Sequence, residues 1–420
     1  MDAPSPVDRA APVETMAPAA GALPRLSDTE RRLSLVGVLA TAFVSTLTFA
    51  MSTPLLALNL EAAGIGAFWI GVNTATESAA ILLFTLVTPA LARRFGTTGA
   101  LYIGIGVMAV GTGLLPVFRS IEAWFLLRIL MGAGVAVLWV VGETWMNAVA
   151  EESKRGRTSG AYVAVMSAAY CLGFPLLIVT GTDGILPFVV ITVAVTATYI
   201  PVFLARRFIP DLTGGESGGY ASLARRQPVV VGAAVANGMI IGIVLAFFVI
   251  FVGRLGMSEE TGLLMLFVLA AGNVVLQIPI GMLADRFRGE PLLGAVALAS
   301  VAGFALLPAI LGLALFSWPV LFLWGGTIGA AYTIALAMVG RRYRPGELAA
   351  ANALFAFAYE GGTLLGPIGS GLALDLWDAN GFLVGGIGAN LIMLLLLALF
   401  WRRPTALPDQ ARPGEAAVPK

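Results

Sequence analysis

The 420-residue sequence contains no histidine and only one cysteine. Without an imidazole the chain lacks the usual proton switch near neutral pH and the commonest transition-metal ligand. Cys171 lies alone in an apolar run, so a disulfide within the chain is excluded. Charge is scarce too: Asp, Glu, Lys and Arg make up 12% of the residues, about half the share usual in soluble domains. There is no Gly-rich phosphate loop of Walker spacing, no Cys/His cluster and no polar segment large enough to hold a nucleotide. An enzyme is therefore not expected, nor a cofactor, a metal or a nucleic-acid partner. Period-2 alternation of apolar residues is also missing, which excludes a membrane β-barrel.

What remains is apolar. Hydrophobic residues account for 58% of the chain, and its mean hydropathy is +0.91. Runs of about 20 apolar residues, each enough to cross a bilayer as a helix, recur from Leu33 to Trp401. In lipid only helices and closed barrels satisfy their own backbone groups, so the expected fold is an all-α polytopic membrane protein. Twelve spans are expected, at 33–58, 68–91, 99–118, 122–149, 158–180, 184–205, 229–252, 261–284, 291–312, 318–340, 348–373 and 380–401. Residues 1–32, rich in Pro and Ala, and residues 404–420 read as disordered cytoplasmic tails. The first tail has no apolar core of the kind a signal peptide carries.

With both termini inside, every one of the 25 basic residues except Arg119, Arg128 and Arg254 falls in a cytoplasmic segment, as the positive-inside rule requires. The chain also repeats. "LARRFG" at Leu91 matches "LADRFR" at Leu283, and Pro175 falls on Pro367, both at one offset of 192 residues. The polar, Gly-rich stretch 206–228 separates the copies. The expected organisation is two pseudo-symmetric six-helix halves, 33–205 and 229–403, joined by that cytoplasmic linker. Parallel repeats of this kind are the architecture of alternating-access transporters.

These features resemble the major facilitator superfamily over nearly the whole chain. "GMLADRF" matches that family's loop signature at Gly281, Leu283, Ala284, Asp285 and Arg286, whereas the first copy departs from it with Pro89 and Arg93. "RILMGAG" resembles the span-4 motif through Arg128, Gly132 and Gly134, and "GGTLLGPIGSG" resembles the antiporter motif but lies in span 11. The resemblance implies a bacterial inner-membrane secondary transporter of a small organic solute, and a monomer. It brings proton coupling as an expectation. A gradient-independent uniporter, a non-translocating sensor and a lipid flippase stay open as alternatives.

The intramembrane polar residues are the candidates for function. Glu77 and Glu360 sit at mid-depth and, with Arg128, are the expected proton-coupling groups; the alternative for each Glu is a permanently protonated interhelical donor. Arg128 also reads as one side of a fixed salt bridge, with Glu77 as a candidate partner, or as snorkelling to the outer interface. Desolvation favours the neutral form of an acid, so a carboxyl whose surroundings change is the simplest device for loading and releasing a proton. Glu143 is fifteen residues after Arg128, on roughly the same helix face at 100° per residue and about 22 Å away. It reads as an inner-gate residue paired with Arg155, Arg157 or Arg341, with substrate contact or packing as the alternatives. Asp285 and Arg286 read as a latch against the start of span 5, near 156–159. Trp139, Trp324, Tyr332, Tyr359 and Asn237 are candidate substrate contacts, packing or interhelical bonding being the other reading for each.

Overall fold

The computed structural model describes residues 27–151, 155–209, 220–343 and 347–400. These residues are helical nearly throughout. In chain order the helices are α1 (Asp28–Ala62), α2 (Ala67–Leu114), α3 (Ile121–Val149), α4 (Arg155–Thr180), α5 (Leu186–Ala197), α6 (Tyr199–Ala205), α7 (Tyr220–Arg226), α8 (Pro228–Arg254), α9 (Glu259–Arg286), α10 (Gly289–Leu311), α11 (Ala314–Arg342), α12 (Leu348–Trp377) and α13 (Asn380–Phe400). Among the described residues ten helical segments are long and apolar enough to cross a membrane. The protein is an all-α polytopic membrane protein.

Local chemistry explains where three of the helices start. Ser27 and Glu30 form a reciprocal capping box at α1, with the Ser27 backbone N–H donating to Glu30 Oε2 at 2.8 Å. Ser120 and Ser258 accept from the N–H groups of Ala123 and Thr261 at the starts of α3 and α9. A hydroxyl just ahead of an apolar run fills an otherwise orphaned donor of the first turn. Before α2 stands Gly66, which has no side chain to offer.

At two places the helices differ in detail from the sequence expectation. The segments expected at 68–91 and 99–118 follow one another without a loop: two helical stretches, together labelled α2, meet at a kink at Gly96, which alone leaves helical geometry, at φ 72° and ψ 162°. The Arg-Arg-Phe-Gly stretch reads as a loop, but only its glycine reaches the left-handed region that side chains resist. The span expected at 184–205 is divided at Thr198 into α5 and α6; Pro201 has no N–H to give the Ala197 carbonyl. The stretch expected to be a linker contains α7 in its described part. The expected tails lie outside the described residues, apart from 27–32, which open α1.

Helices α1–α6 pack on one another, and so do α8–α13; the main contacts between the groups are α2 on α12, α4 on α9 and α1 on α8. The α2–α12 crossing is the tightest of these in its chemistry. A Cβ on Gly71 would stand 2.2 Å from the Pro367 carbonyl oxygen, and one on Gly371 would stand 2.4 Å from that of Ala67. Such small-residue crossings let helices associate by backbone contact where lipid offers no hydrophobic drive. Gly71→Ala is expected to lower the unfolding midpoint of the purified protein, at a cost of about 1–3 kcal/mol for overpacking. Gly160→Ala, where nothing lies within 4 Å, is expected to leave the midpoint unchanged or raised. Equal behaviour of the two variants would contradict the close crossing.

Candidate functional site

Between α2 and α3 lies a charged pair with almost no access to solvent. Arg128 on α3 is 0% exposed and Glu77 on α2 is 1% exposed. Arg128 Nη1 pairs with Glu77 Oε2, and its Nε donates to Asn73 Oδ1 at 3.2 Å. Asn73 and Glu77 are one helical turn apart, so they present both acceptors on one face. Gly132, a turn beyond Arg128, makes the approach possible, because a Cβ there would lie 2.5 Å from the Glu77 carbonyl oxygen. The Arg-x-x-x-Gly spacing thus has a physical basis: the glycine brings the helices together at the height where the guanidinium needs its partner. Glu77 Oε1, Arg128 Nη2 and Asn73 Nδ2 are buried with no hydrogen-bond partner among the described residues.

The next residue on α2, Ser78, faces α12. There Thr363 Oγ1 lies 3.0 Å from Ser78 Oγ, 2.8 Å from the Glu360 carbonyl oxygen and 2.9 Å from Glu360 Oε2. Glu360 is itself buried. A hydroxyl–hydroxyl–carboxyl chain therefore crosses from one helix group to the other, beginning one residue from Glu77.

Towards the middle of the bundle a cavity of about 200 Å³ is lined by α1, α4, α8, α9, α11 and α12. Tyr170, Tyr332 and Tyr359 provide aromatic walls, and Asn237, Asn273 and Gln277 provide amides. Tyr332 meets Tyr359 edge to face at 5.4 Å. Asn237 Nδ2 donates to the Ile328 carbonyl at 2.6 Å, and Gln277 Nε2 to Asn273 Oδ1 at 3.1 Å.

Of the five candidate contacts, Asn237, Tyr332 and Tyr359 line this cavity. The two tryptophans pack elsewhere. Trp324 is buried edge to face on Phe304 and over Gly303, between α10 and α11, and Trp139 leans on Phe49 of α1. Glu143 is exposed on α3 and forms no ion pair among the described residues. Arg341 donates instead to the Ala284 carbonyl at 2.7 Å, at the end of α9, where a cation complements the helix dipole. Asp285 and Arg286 stand exposed in the last turn of α9. The side chains of 152–156, which include Arg155 and part of the expected latch, lie outside the described residues.

Several polar contacts escaped the sequence reading. Arg342, at the end of α11, pairs with Glu290 at the start of α10 and donates to Gln227 Oε1 at 3.0 Å; Arg31 pairs with Glu151. At the opposite end of the bundle Asp375 of α12 caps α2, accepting from the N–H groups of Ala67 at 2.7 Å and Phe68 at 2.9 Å. Beside it Arg254 joins Glu61 at 3.1 Å and Asp378 at 2.9 Å, while Thr182 donates to Glu259 at 2.6 Å. One signal for the Asp375 cap was available, since α2 alone of these starts offers only glycine and must find its acceptor elsewhere.

A family model described as "Major Facilitator Superfamily" matches residues 38–359. The Escherichia coli O17:K52:H18 protein named "Uncharacterized MFS-type transporter YcaD" is 25% identical over 365 residues, covering 84% of this chain and 92% of the relative. A similarly named protein of Enterobacter sp. strain 638 is 26% identical over 86% of this chain and 94% of its own length. Among solved structures, a bacterial homologue of the human lysosomal transporter Spinster, inward-facing and occupied, superposes with a TM-score of 0.73 at 14% identity. It covers 90% of this chain and 97% of that one. A D-xylose-proton symporter gives 0.61 at 16% identity, covering 86% and 96%. At such identities the solved structures speak for the fold alone.

Removing one partner of a buried ion pair strands the other, at a cost of about 3–5 kcal/mol, whereas replacing both by apolar residues is often neutral. Arg128→Met and Glu77→Leu are each expected to depress the unfolding midpoint sharply, and the double variant to recover most of the loss. A double variant as unstable as the sum of the singles would contradict the pairing.

Proposed function

We propose that this chain, which belongs to the Major Facilitator Superfamily, is a proton-coupled secondary transporter of a small organic solute. Its coarse function is established by the family match and its transporter relatives: it is a bacterial multi-pass membrane transport protein and not an enzyme. The finer reading takes α2 as two crossings and α12 as one more beyond the ten apolar segments, which makes twelve. The two helix groups are then the moving halves. With the basic loops placed in the cytoplasm of the inner membrane, the end tied by Asp375, Arg254 and Thr182 is the external one. A bundle fastened there and holding an exposed Glu143 towards its other end suits an inward-facing state.

The observation that carries proton coupling is the Thr363 hydroxyl between Glu360 and Ser78. It has one proton and three acceptors within 3.0 Å, so its own proton serves one contact at a time, and a contact to Ser78 or Glu360 that it does not serve is made only if that group donates. An ionised Glu360 draws the Thr363 proton to itself. A protonated Glu360 can donate to Thr363, whose own proton then points to Ser78. The proton on Glu360 therefore sets the direction of the bond that crosses between the halves. In this reading Arg128 and Glu77 hold the charged anchor behind that bond, since a proton on Glu77 would leave the guanidinium unpaired.

Proteoliposomes loaded with a pH-sensitive dye report the coupling directly, once a solute library has been screened by thermal shift. A stabilising solute is expected to move protons with it in the wild type. Glu360→Gln is expected to abolish the proton movement while retaining solute exchange. Solute flux that ignores an imposed pH gradient would identify a uniporter and overturn the coupling.

A further inference from the structure

Glycines around the central cavity seat a set of neutral polar groups whose hydrogen bonds are left open. Gly238, next to Asn237, lets α8 meet α12: a Cβ there would stand 2.0 Å from the Tyr359 carbonyl oxygen. Gly329 lets Asn273 of α9 lie against α11, since a Cβ on it would stand 1.7 Å from Asn273 Oδ1. Asn237 is 1% exposed, and its Nδ2 donates to the Ile328 carbonyl. A carbonyl only accepts, so the amide orientation is fixed and Oδ1 is left to accept from a bound molecule. On α1, Thr46 Oγ1 lines the cavity and is buried with no hydrogen-bond partner among the described residues. Such a group costs free energy until something bonds to it. The hydroxyls of Tyr170, Tyr332 and Tyr359, also in the lining, make no hydrogen bond among the described residues. Formal charge is missing from the same surface: among the described residues that line the cavity, none is Asp, Glu, Lys or Arg. Glu360, the residue after Tyr359, is held by Thr363 on the seam with α2, and Arg128 is held by Glu77 and Asn73.

We propose that this cavity takes an uncharged cyclic solute with hydroxyl or amide groups on its rim. The proposal rests on the transport reading above and names the class of solute. The lining offers hydroxyls that donate or accept and amides that do both, so a solute rim carrying both kinds of group finds a partner for each. The ring faces meet Tyr332 and Tyr359, set edge to face at 5.4 Å, together with Met166, Ile241 and Val274. A charged solute gives up its hydration and finds no counter-charge in the wall, at a cost of several kcal/mol. A purely apolar solute leaves Thr46 and Asn237 unbonded, which is the penalty that separates it from a hydroxylated one. The volume of about 200 Å³ lies below the roughly 300–1,000 Å³ of pockets for drug-sized ligands, which sets the scale at a single ring and its substituents.

Calorimetric titration of the full chain in lipid nanodiscs, at mildly acidic pH, tests the class with two matched sets of single-ring probes. One set is nicotinamide, nicotinate and 1-methylnicotinamide; the other is glucose, glucuronate and glucosamine. Each holds a neutral, an anionic and a cationic member. In every set that binds, the neutral member is expected to be about tenfold or more tighter than either charged one, the least that an uncompensated buried charge costs. Tyr332→Phe, which removes one open hydroxyl, is expected to weaken the neutral probe about two- to tenfold. Gln277→Glu, which installs a carboxylate in the wall, is expected to move the preference towards the cationic member. A charged probe that matches or beats its neutral counterpart in the wild type, or no measurable binding of either neutral probe, overturns the proposal even if a variant fails to fold. Flux measurements separate this from the coupling. Neutral-selective binding with flux that ignores a pH gradient overturns the coupling and leaves the class standing; proton-coupled flux of a charged solute overturns the class and leaves the coupling standing.

Discussion

At Gly71 and Gly371 two helices far apart in the chain touch backbone to backbone, and no side chain fits between them. That contact sets the height of everything along the seam. It places the Asp375 carboxylate over the bare first turn of α2, and brings Ser78 within 3.0 Å of Thr363. On the far side of α2, Gly132 repeats the device and seats Arg128 against Glu77. Where lipid supplies no hydrophobic drive between helices, close packing and interhelical polar bonds are what remain, and both are concentrated here. In the proposed transport cycle the same seam must loosen, so the chemistry that joins the groups is also the chemistry that has to be switchable.

The sequence made the helical membrane architecture legible because the bilayer demands it: long apolar runs have only one way to satisfy their backbones. The Arg128–Glu77 pair was legible for a similar reason, since a guanidinium at that depth needs a partner and a carboxylate stood at matching depth. What stayed hidden was non-local. Asp375 reads as an ordinary polar residue near a helix end until α2 is seen to lack a cap. Glu290 and Arg342 lie 52 residues apart, and no spacing rule links them. Trp324 and Trp139 are chemically suited to a ligand wall, but hydropathy does not say which face of a helix meets the cavity and which meets Phe304 or Phe49. The sharpness of the junction within 67–114 was not legible, because a pair of arginines resembles a loop while only Gly96 departs from helical geometry.

The distribution of charge links the fold to the proposed chemistry. Arg128 is neutralised within its own helix group, and Arg254 is engaged by Glu61 and Asp378. Glu360 has no such basic partner among the described residues and is held by Thr363 instead. In a chain with no histidine, a buried carboxyl such as Glu360 is the kind of group left to carry the proposed proton.

The central claim is that a proton on Glu360 changes how the α2–α12 seam is held. Spin labels placed at the exposed positions Trp69 and Leu376, in a Cys171→Ala background, report the distance across that seam. The account predicts a distance distribution that shifts between acidic and alkaline buffer in the otherwise wild-type chain, and that loses this dependence in Glu360→Gln. A distribution that ignores pH in the parent, or that keeps its shift in the variant, would contradict it.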